Sequence, residues 1–215
     1  MPTLYYLPGS AAMAAHAAFL EAGVQPELVR VVREDGVTVS PPDYLNINPH
    51  GRVPALVDGD LRLYESAAII LHAADRNPQS GLLPADPALR SHAYKWLVHL
   101  TNTVQPNLHL YFAPGRIARP GATDAEKDAI KAGVASALSG QLDWLDSEIA
   151  GKQFLLGDTF CAADIYLWML TRWSRGLTPA GWDRPSLGAF YDRLSARPSI
   201  AKMLEQQGLE ARPGA

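Results

Sequence analysis

The chain has 215 residues, more than a single core needs and too few for three domains, so two small domains are expected. Nearly half of the residues are hydrophobic and 19% are charged with both signs interspersed, an ordinary globular composition that excludes extensive disorder. A formal net charge of −3 offers no basic face to neutralise phosphates, which excludes nucleic acid as an expected partner.

The N-terminal run Met1-Pro2-Thr3-Leu4-Tyr5-Tyr6 lacks the basic start and long apolar stretch of a signal peptide. No segment approaches ~18 uninterrupted apolar residues, so a cytoplasmic protein without a membrane partner is expected. Residues 3 to 7 read as a strand, Pro8-Gly9-Ser10 as a break, and the alanine-rich stretch to Ala22 as a helix closed by Gly23. A second strand follows over 27 to 32, then Pro41-Pro42 and a short helical turn over 43 to 45. The apolar runs 55 to 57 and 61 to 63, separated by Asp58-Gly59-Asp60, read as a hairpin. A helix begins after Glu65-Ser66 and stops at Asn77-Pro78. The order is β-α-β-α-β-β-α, an α/β domain.

From Asp86-Pro87 the pattern changes to long helical periodicity. Leu89, Ala93, Trp96, Leu97, Leu100, Val104, Leu108 and Tyr111 keep three- and four-residue steps, with a kink expected at Pro106. Ile130, Val134, Leu138, Leu142, Leu145 and Ile149 repeat the signature, and three more helices fall near 162 to 175, 186 to 196 and 199 to 207. The shift places the domain junction between 77 and 87.

Three short segments carry chemistry. After the first strand, Ser10 presents a hydroxyl beside the N–H groups of a helix N-terminus, where negative charge is favoured. A thiol with an ordinary pKa near ~8.5 is acidified in such a place, with Ser10 the better-placed donor and Tyr6 the second. The spacing alone also fits a plain N-cap for Ser10 and core packing for Tyr6. Val53-Pro54 enters a strand; a cis bond would expose the N–H and C=O of Val53 to an extended peptide, whereas base rates for a lone X-Pro bond favour trans. Glu65-Ser66 stands at another helix N-terminus, suited to a carboxylate at Ser66 and an ammonium at Glu65, or to a simple cap.

In order and spacing, Tyr5-Tyr6-Leu7-Pro8-Gly9-Ser10-Ala11, Asn48-Pro49-His50-Gly51-Arg52-Val53-Pro54-Ala55-Leu56-Val57 and Tyr64-Glu65-Ser66-Ala67-Ala68-Ile69 match the ligand-binding segments of one family. The chain strongly resembles a cytosolic glutathione transferase over nearly its whole length, and Gly157-Asp158-Thr159-Phe160-Cys161-Ala162-Ala163-Asp164-Ile165 looks like that family's buried helix-start motif. The resemblance implies a thioredoxin-like N-terminal domain over residues 1–78 with cis-Pro54, an all-helical domain over 87–215, and a homodimer. It implies glutathione as co-substrate, with its γ-glutamyl end at Glu65 and Ser66, its cysteinyl backbone at Val53, its thiol beside Ser10 and Tyr6, and its glycine carboxylate near Arg52 or His50. The second substrate, a small hydrophobic electrophile, would meet Gln105, Tyr111, Phe112, Trp168 and Trp173.

The body of the chain looks most like the bacterial beta class, which carries a cysteine and a histidine where this chain has Ala11 and Gln105. The segment Tyr-Tyr-Leu-Pro-Gly-Ser-Ala instead resembles the insect delta class, whose serine after Pro-Gly is catalytic, and this supports Ser10. Cys161 stands where the helix-start motif has Ser or Thr, so a weaker capping box and a buried, structural thiol are expected. The histidines at 16, 50, 72, 92, 99 and 109 show no metal-ligand spacing, so no metal is expected. Ser10 lies in no G-x-S-x-G, and no His or Asp can be assigned to it from sequence, so a nucleophilic triad is unsupported. The leading function is conjugation of the glutathione thiolate to an electrophilic carbon. The alternatives are a glutathione-dependent reductase or lyase, or a non-catalytic binding or docking protein on the same fold.

Overall fold

The computed structural model describes residues 1–34 and 37–213. Strand β1 (Thr3–Tyr6) is followed by α1 (Ala12–Glu21), and β2 (Glu27–Arg30) then pairs parallel with β1. Strands β5 (Ala55–Asp58) and β6 (Leu61–Tyr64) form the expected hairpin, with Gly59 at φ 61° in its turn. β5 runs antiparallel to β1, giving one sheet of order β2-β1-β5-β6. Helix α2 (Ser66–Arg76) follows. This is the thioredoxin-like half of the expected fold.

The expected order holds, with one addition. Between β2 and β5 the short helical turn expected over 43 to 45 is a single 3₁₀ turn, Tyr44–Asn46, and it is preceded by a two-stranded ribbon of β3 (Val32–Glu34) and β4 (Val37–Ser40) that was not expected. Pro41 and Pro42 leave only a few residues before Asn48-Pro49, too short a stretch for a helix to repay its nucleation cost.

Helix α1 explains its own composition. Every residue from Ala12 to Phe19 is buried, because α2 and the last helix, α8 (Pro198–Gln207), both pack against it beside the sheet. Alanines keep the helix thin enough to be covered in this way. Glu21, near the end of α1, pairs with Arg197 and accepts a hydrogen bond from Ser199 at the start of α8.

The helical part contains α3 (Pro87–His99), α4 (Gln105–Phe112), α5 (Asp124–Ile149), α6 (Ala162–Trp173) and α7 (Pro185–Ser195). The kink expected at Pro106 is a π-helical turn over Leu100–Val104, just before it. Proline has no N–H to give to the carbonyl four residues back, and its ring crowds that carbonyl, so the helix widens there. Thr123 and Glu126 form a reciprocal capping box that starts α5. Helix α6 is buried along its entire length. At its start the buried Asp164 carboxylate accepts the N–H of Cys161 and that of Leu155, each at 2.8 Å. Cys161 is fully buried, and burial pushes its thiol pKa well up.

Two compact units result: Met1–Arg90 together with Ser195–Ala215, and Ser91–Leu194. The periodicity shift at 77 to 87 separates α/β from α in chain order. In space the first unit also takes back the C-terminal helix.

Candidate active site

The sheet register gathers the three chemical segments. Tyr5 on β1 pairs with Ala55 on β5, and Ala55 pairs with Tyr64 on β6. The chain leaves β1 after Tyr6, enters β5 after Val53-Pro54 and leaves β6 at Glu65-Ser66, so all three breaks lie at one end of the sheet. With neighbouring strands ~4.8 Å apart, they span about 10 Å.

The first break is a tight turn. Pro8 and Gly9 are its central residues, Gly9 at φ 74°, and the Ser10 N–H closes it on the Leu7 carbonyl at 3.2 Å. Proline followed by a positive-φ glycine is the signature of a type II turn. Ala11, not Ser10, occupies the N-cap position of α1. The Ser10 hydroxyl donates to the Leu7 carbonyl at 2.7 Å and accepts the Ala12 N–H at 3.2 Å, so it is half-buried against the first turn of the helix. Tyr6 is half-buried on the Leu4 side of β1, while Tyr5 points the other way and packs on Tyr44 at 5.4 Å.

The second break is a loop pinned from behind. Tyr44 hydroxyl and Asn48 Nδ2 both donate to the Arg52 carbonyl, at 2.5 and 2.7 Å. Asn48 Oδ1 accepts the His50 N–H at 3.0 Å, and Thr38 Oγ1 donates to the Gly51 carbonyl at 2.9 Å. Burial pushes the Tyr44 hydroxyl pKa up, which keeps it a donor. The Val53–Pro54 bond is cis, as the resemblance implies. Within the described residues no hydrogen bond uses the N–H or C=O of Val53. The Arg52 side chain is exposed with no partner among the described residues, and His50 stands edge-on to Tyr64 at 5.4 Å.

The third break holds a backbone outlier. Glu65 is the only non-glycine residue among those described with positive φ, at 73°. It occupies the N-cap position of α2 without a side-chain cap, and Ser66, expected as the cap, is instead the first helical residue, 4% exposed. The first N–H groups of α2 therefore have no intrahelical acceptor and face this end of the sheet. An anion is favoured there.

In the second unit, Gln105 Oε1 accepts from the buried Tyr166 hydroxyl at 2.7 Å. Phe112 is exposed, and its ring lies 5.8 Å from Tyr111 and 6.0 Å from Trp173, which also meets His109 at 5.5 Å. Trp168 is fully buried and stacked on Tyr191 at 5.7 Å, so it is core and presents no surface to a ligand. Tyr111 donates its hydroxyl to the Gly176 carbonyl. Among the described residues no three His, Cys, Asp or Glu side chains are grouped as metal ligands, and no helix is long and apolar enough to cross a membrane.

Sequence reasoning missed the supports of the site: Tyr44, Asn48 and Thr38 behind the Val53 loop, and Gln207, whose side chain reaches the Gly9 N–H at 3.4 Å. Asn48-Pro49 is a visible turn signal and hints at Asn48. Nothing local marks Tyr44, Thr38 or Gln207.

Residues 2–75 match the family model described as Glutathione S-transferase, N-terminal domain, and residues 128–196 the one described as Glutathione S-transferase, C-terminal domain. The glutathione S-transferase GstA of Escherichia coli O157:H7 is 30% identical over 210 residues, covering 96% of this chain and 99% of that one. A sphingomonad glutathione S-transferase, solved in complex with glutathione, is 33% identical with a TM-score of 0.82, covering 97% of this chain and 100% of the other. A bacterial beta-class glutathione S-transferase of Sphingomonas chungbukensis is 31% identical with a TM-score of 0.83, again over 97% and 100% of the two chains. With a thioredoxin-like sheet, both domain models matched and relatives matched along nearly their full length, the chain belongs to the glutathione S-transferase family.

Proposed function

We propose that this transferase binds glutathione across the three breaks and joins its sulfur to an electrophilic carbon of a small hydrophobic substrate. The observation that carries the reading is the shared register of Tyr5, Ala55 and Tyr64, which brings the three segments to one sheet end. The γ-glutamyl carboxylate takes the N–H groups and hydroxyl at Ser66, and its ammonium takes the Glu65 carboxylate. The cysteinyl backbone pairs with Val53 beside Pro54 as an added strand. The glycine carboxylate takes Arg52, with His50 beside it.

The sulfur then lies against the Gly9-Ser10 turn and the N-terminus of α1. To donate to it, the Ser10 proton swings from the Leu7 carbonyl about the Cβ–Oγ bond, while the oxygen keeps the Ala12 N–H. Tyr6 is the second donor. Stabilising the thiolate by ~2 pKa units raises its fraction at neutral pH by ~100-fold, partly offset by lower nucleophilicity. The thiolate attacks the carbon, the C–S bond forms, and the leaving group departs with its electron pair. The glutathione proton has already gone to solvent. For the electrophile, the accessible candidates in the helical unit are Gln105, Tyr111 and Phe112; Trp173, 5% exposed, is core like Trp168.

Ser10→Ala tests the donor: turnover with an aryl halide should fall on the order of 10- to 100-fold, with the glutathione KM changed less than about threefold. An unimpaired variant would transfer the role to Tyr6. The same reading makes the enzyme a cytoplasmic homodimer. Tyr94 and Val98, exposed one helical turn apart on α3, support a covered face, and sedimentation should return twice the 23.3 kDa chain mass.

A further inference from the structure

The turn that carries Ser10 is held by a residue from the far end of the chain. Type I and type II turns share their end residues and differ by rotation of the central peptide, here Pro8–Gly9. The direction of the Gly9 N–H therefore distinguishes the two. Gln207, at the last position of α8 and 6% exposed, places Oε1 3.4 Å from that N–H. Its Nε2 lies 3.2 Å from Nδ1 of His16, and Nε2 of His16 lies 2.9 Å from Oε1 of Gln206. Gln206 is tied in turn to Gln25.

With Oε1 of Gln207 on the Gly9 N–H, one arrangement of protons satisfies this chain of contacts. Nδ1 of His16 faces an amide NH₂ and must accept, so the ring proton sits on Nε2 and is donated to Gln206. Turning the Gln207 amide over would oppose its NH₂ to the Gly9 N–H, and the His16 ring could meet the oxygen only as the other tautomer, with Gln206 turned over as well. The Gly9 N–H, which can only donate, thus sets the amide, and His16, fully buried in α1, accepts its other end. Burial keeps that imidazole neutral, with a pKa lowered to about 4.

We propose that Gln207 is a positioning residue for thiolate activation: backed by His16, it holds the Pro8–Gly9 peptide in the type II state and so aims Ser10 and the α1 N-terminus at the sulfur. This rests on the reading of Ser10 given above. Neither residue touches the reacting atoms.

Gln207→Met keeps the side-chain volume and removes both hydrogen bonds. With glutathione and an aryl halide, the pH profile of kcat/KM should move up by about half to one unit. At pH 7, kcat should fall about three- to tenfold and the glutathione KM should stay within about twofold. Met203→Ala, which loosens the same helix without a polar contact to the turn, should lower the thermal midpoint and leave the profile in place. If Gln207→Met leaves profile and kcat unchanged while Ser10→Ala lowers kcat, Gln207 is not a positioning residue. An equal shift in Met203→Ala also overturns the proposal, since helix stability would then be the cause. An unaffected Ser10→Ala overturns the reading of Ser10 and this inference with it.

Discussion

At Glu65 the backbone takes a conformation that a side chain with a Cβ resists, and the residue there is neither glycine nor asparagine. Such strain persists where the surroundings impose it and where it serves a ligand. Here it follows the Tyr64 pairing to Ala55 directly and turns the chain into α2, bringing the carboxylate and the Ser66 N–H to the same end of the sheet. Glu65→Gly relieves a conformation costing ~1–2 kcal/mol and returns ~0.5–1 kcal/mol of glycine chain entropy. The variant should be between neutral and about 1.5 kcal/mol more stable by urea unfolding, while its glutathione affinity by calorimetry falls about tenfold or more with the lost carboxylate. A destabilised variant would show that the strain is not there. The breaks at Ser10, Val53 and Glu65-Ser66 were legible because each stands at the end or the start of a strand. Their supports were not, because Tyr44 and Thr38 act through the Arg52 and Gly51 carbonyls, and a backbone acceptor has no letter in the sequence.

Among the elements, helices were easier to read than their interruptions. Periodicity marks α3 to α5 because one face is buried at three- and four-residue steps, and Pro106 marks the break in that run although its form, a π turn, depends on how the carbonyls relax. The β3–β4 ribbon was missed although Val37-Thr38-Val39-Ser40 alternates apolar and polar, because its strands are only three and four residues long and the β3 side chains are all exposed. Helix α1 was legible as a helix, but its mean composition does not say that it is covered from two sides, and that cover decides the chemistry of His16. Burial lowers His16 to about 4 from 6.5, so the folded state holds it neutral while the unfolded chain takes a proton below about pH 6.5. The unfolded state binds more protons in that window, so stability is complete above pH 6.5 and is lost as pH falls toward 4. Between pH 7 and pH 5 the loss is about 2 kcal/mol from this group. Urea midpoints at the two pH values should move accordingly, and in His16→Asn that portion of the slope should vanish. His99, also lowered by burial, lies in the other unit and keeps its smaller share in both proteins. A slope identical in the variant would place the pH dependence elsewhere.

For the whole molecule, the first unit is not a continuous stretch of chain. Residues 91 to 194 are inserted into it, and α8 returns after them to close α1. The change of periodicity at residues 77 to 87 is a change of element type, and no local signal tells a terminal helix which unit it joins. The consequence is large on the scale of a small domain. α8 buries Ile200, Met203 and Leu204, and at ~1.5–3 kcal/mol each these supply about 6 kcal/mol, comparable with the whole stability of a domain of this size. Its Arg197 and Ser199 also satisfy Glu21. Residues 1 to 90 alone would expose the α8-covered side of α1, the side that carries His16 and Glu21 on an otherwise alanine-rich, buried helix. We expect that fragment to bind a hydrophobic dye and unfold without a sharp urea transition. Joining residues 195 to 213 to it through a flexible glycine-serine linker should restore a cooperative transition, because the linker adds only a slowly growing closure entropy. The same linked protein should lose that transition again when Ile200 and Leu204 are both changed to aspartate. If residues 1 to 90 alone unfold cooperatively with near-UV ellipticity intact, the sheet, α1 and α2 suffice, and α8 serves the Gly9 turn without being needed for the fold.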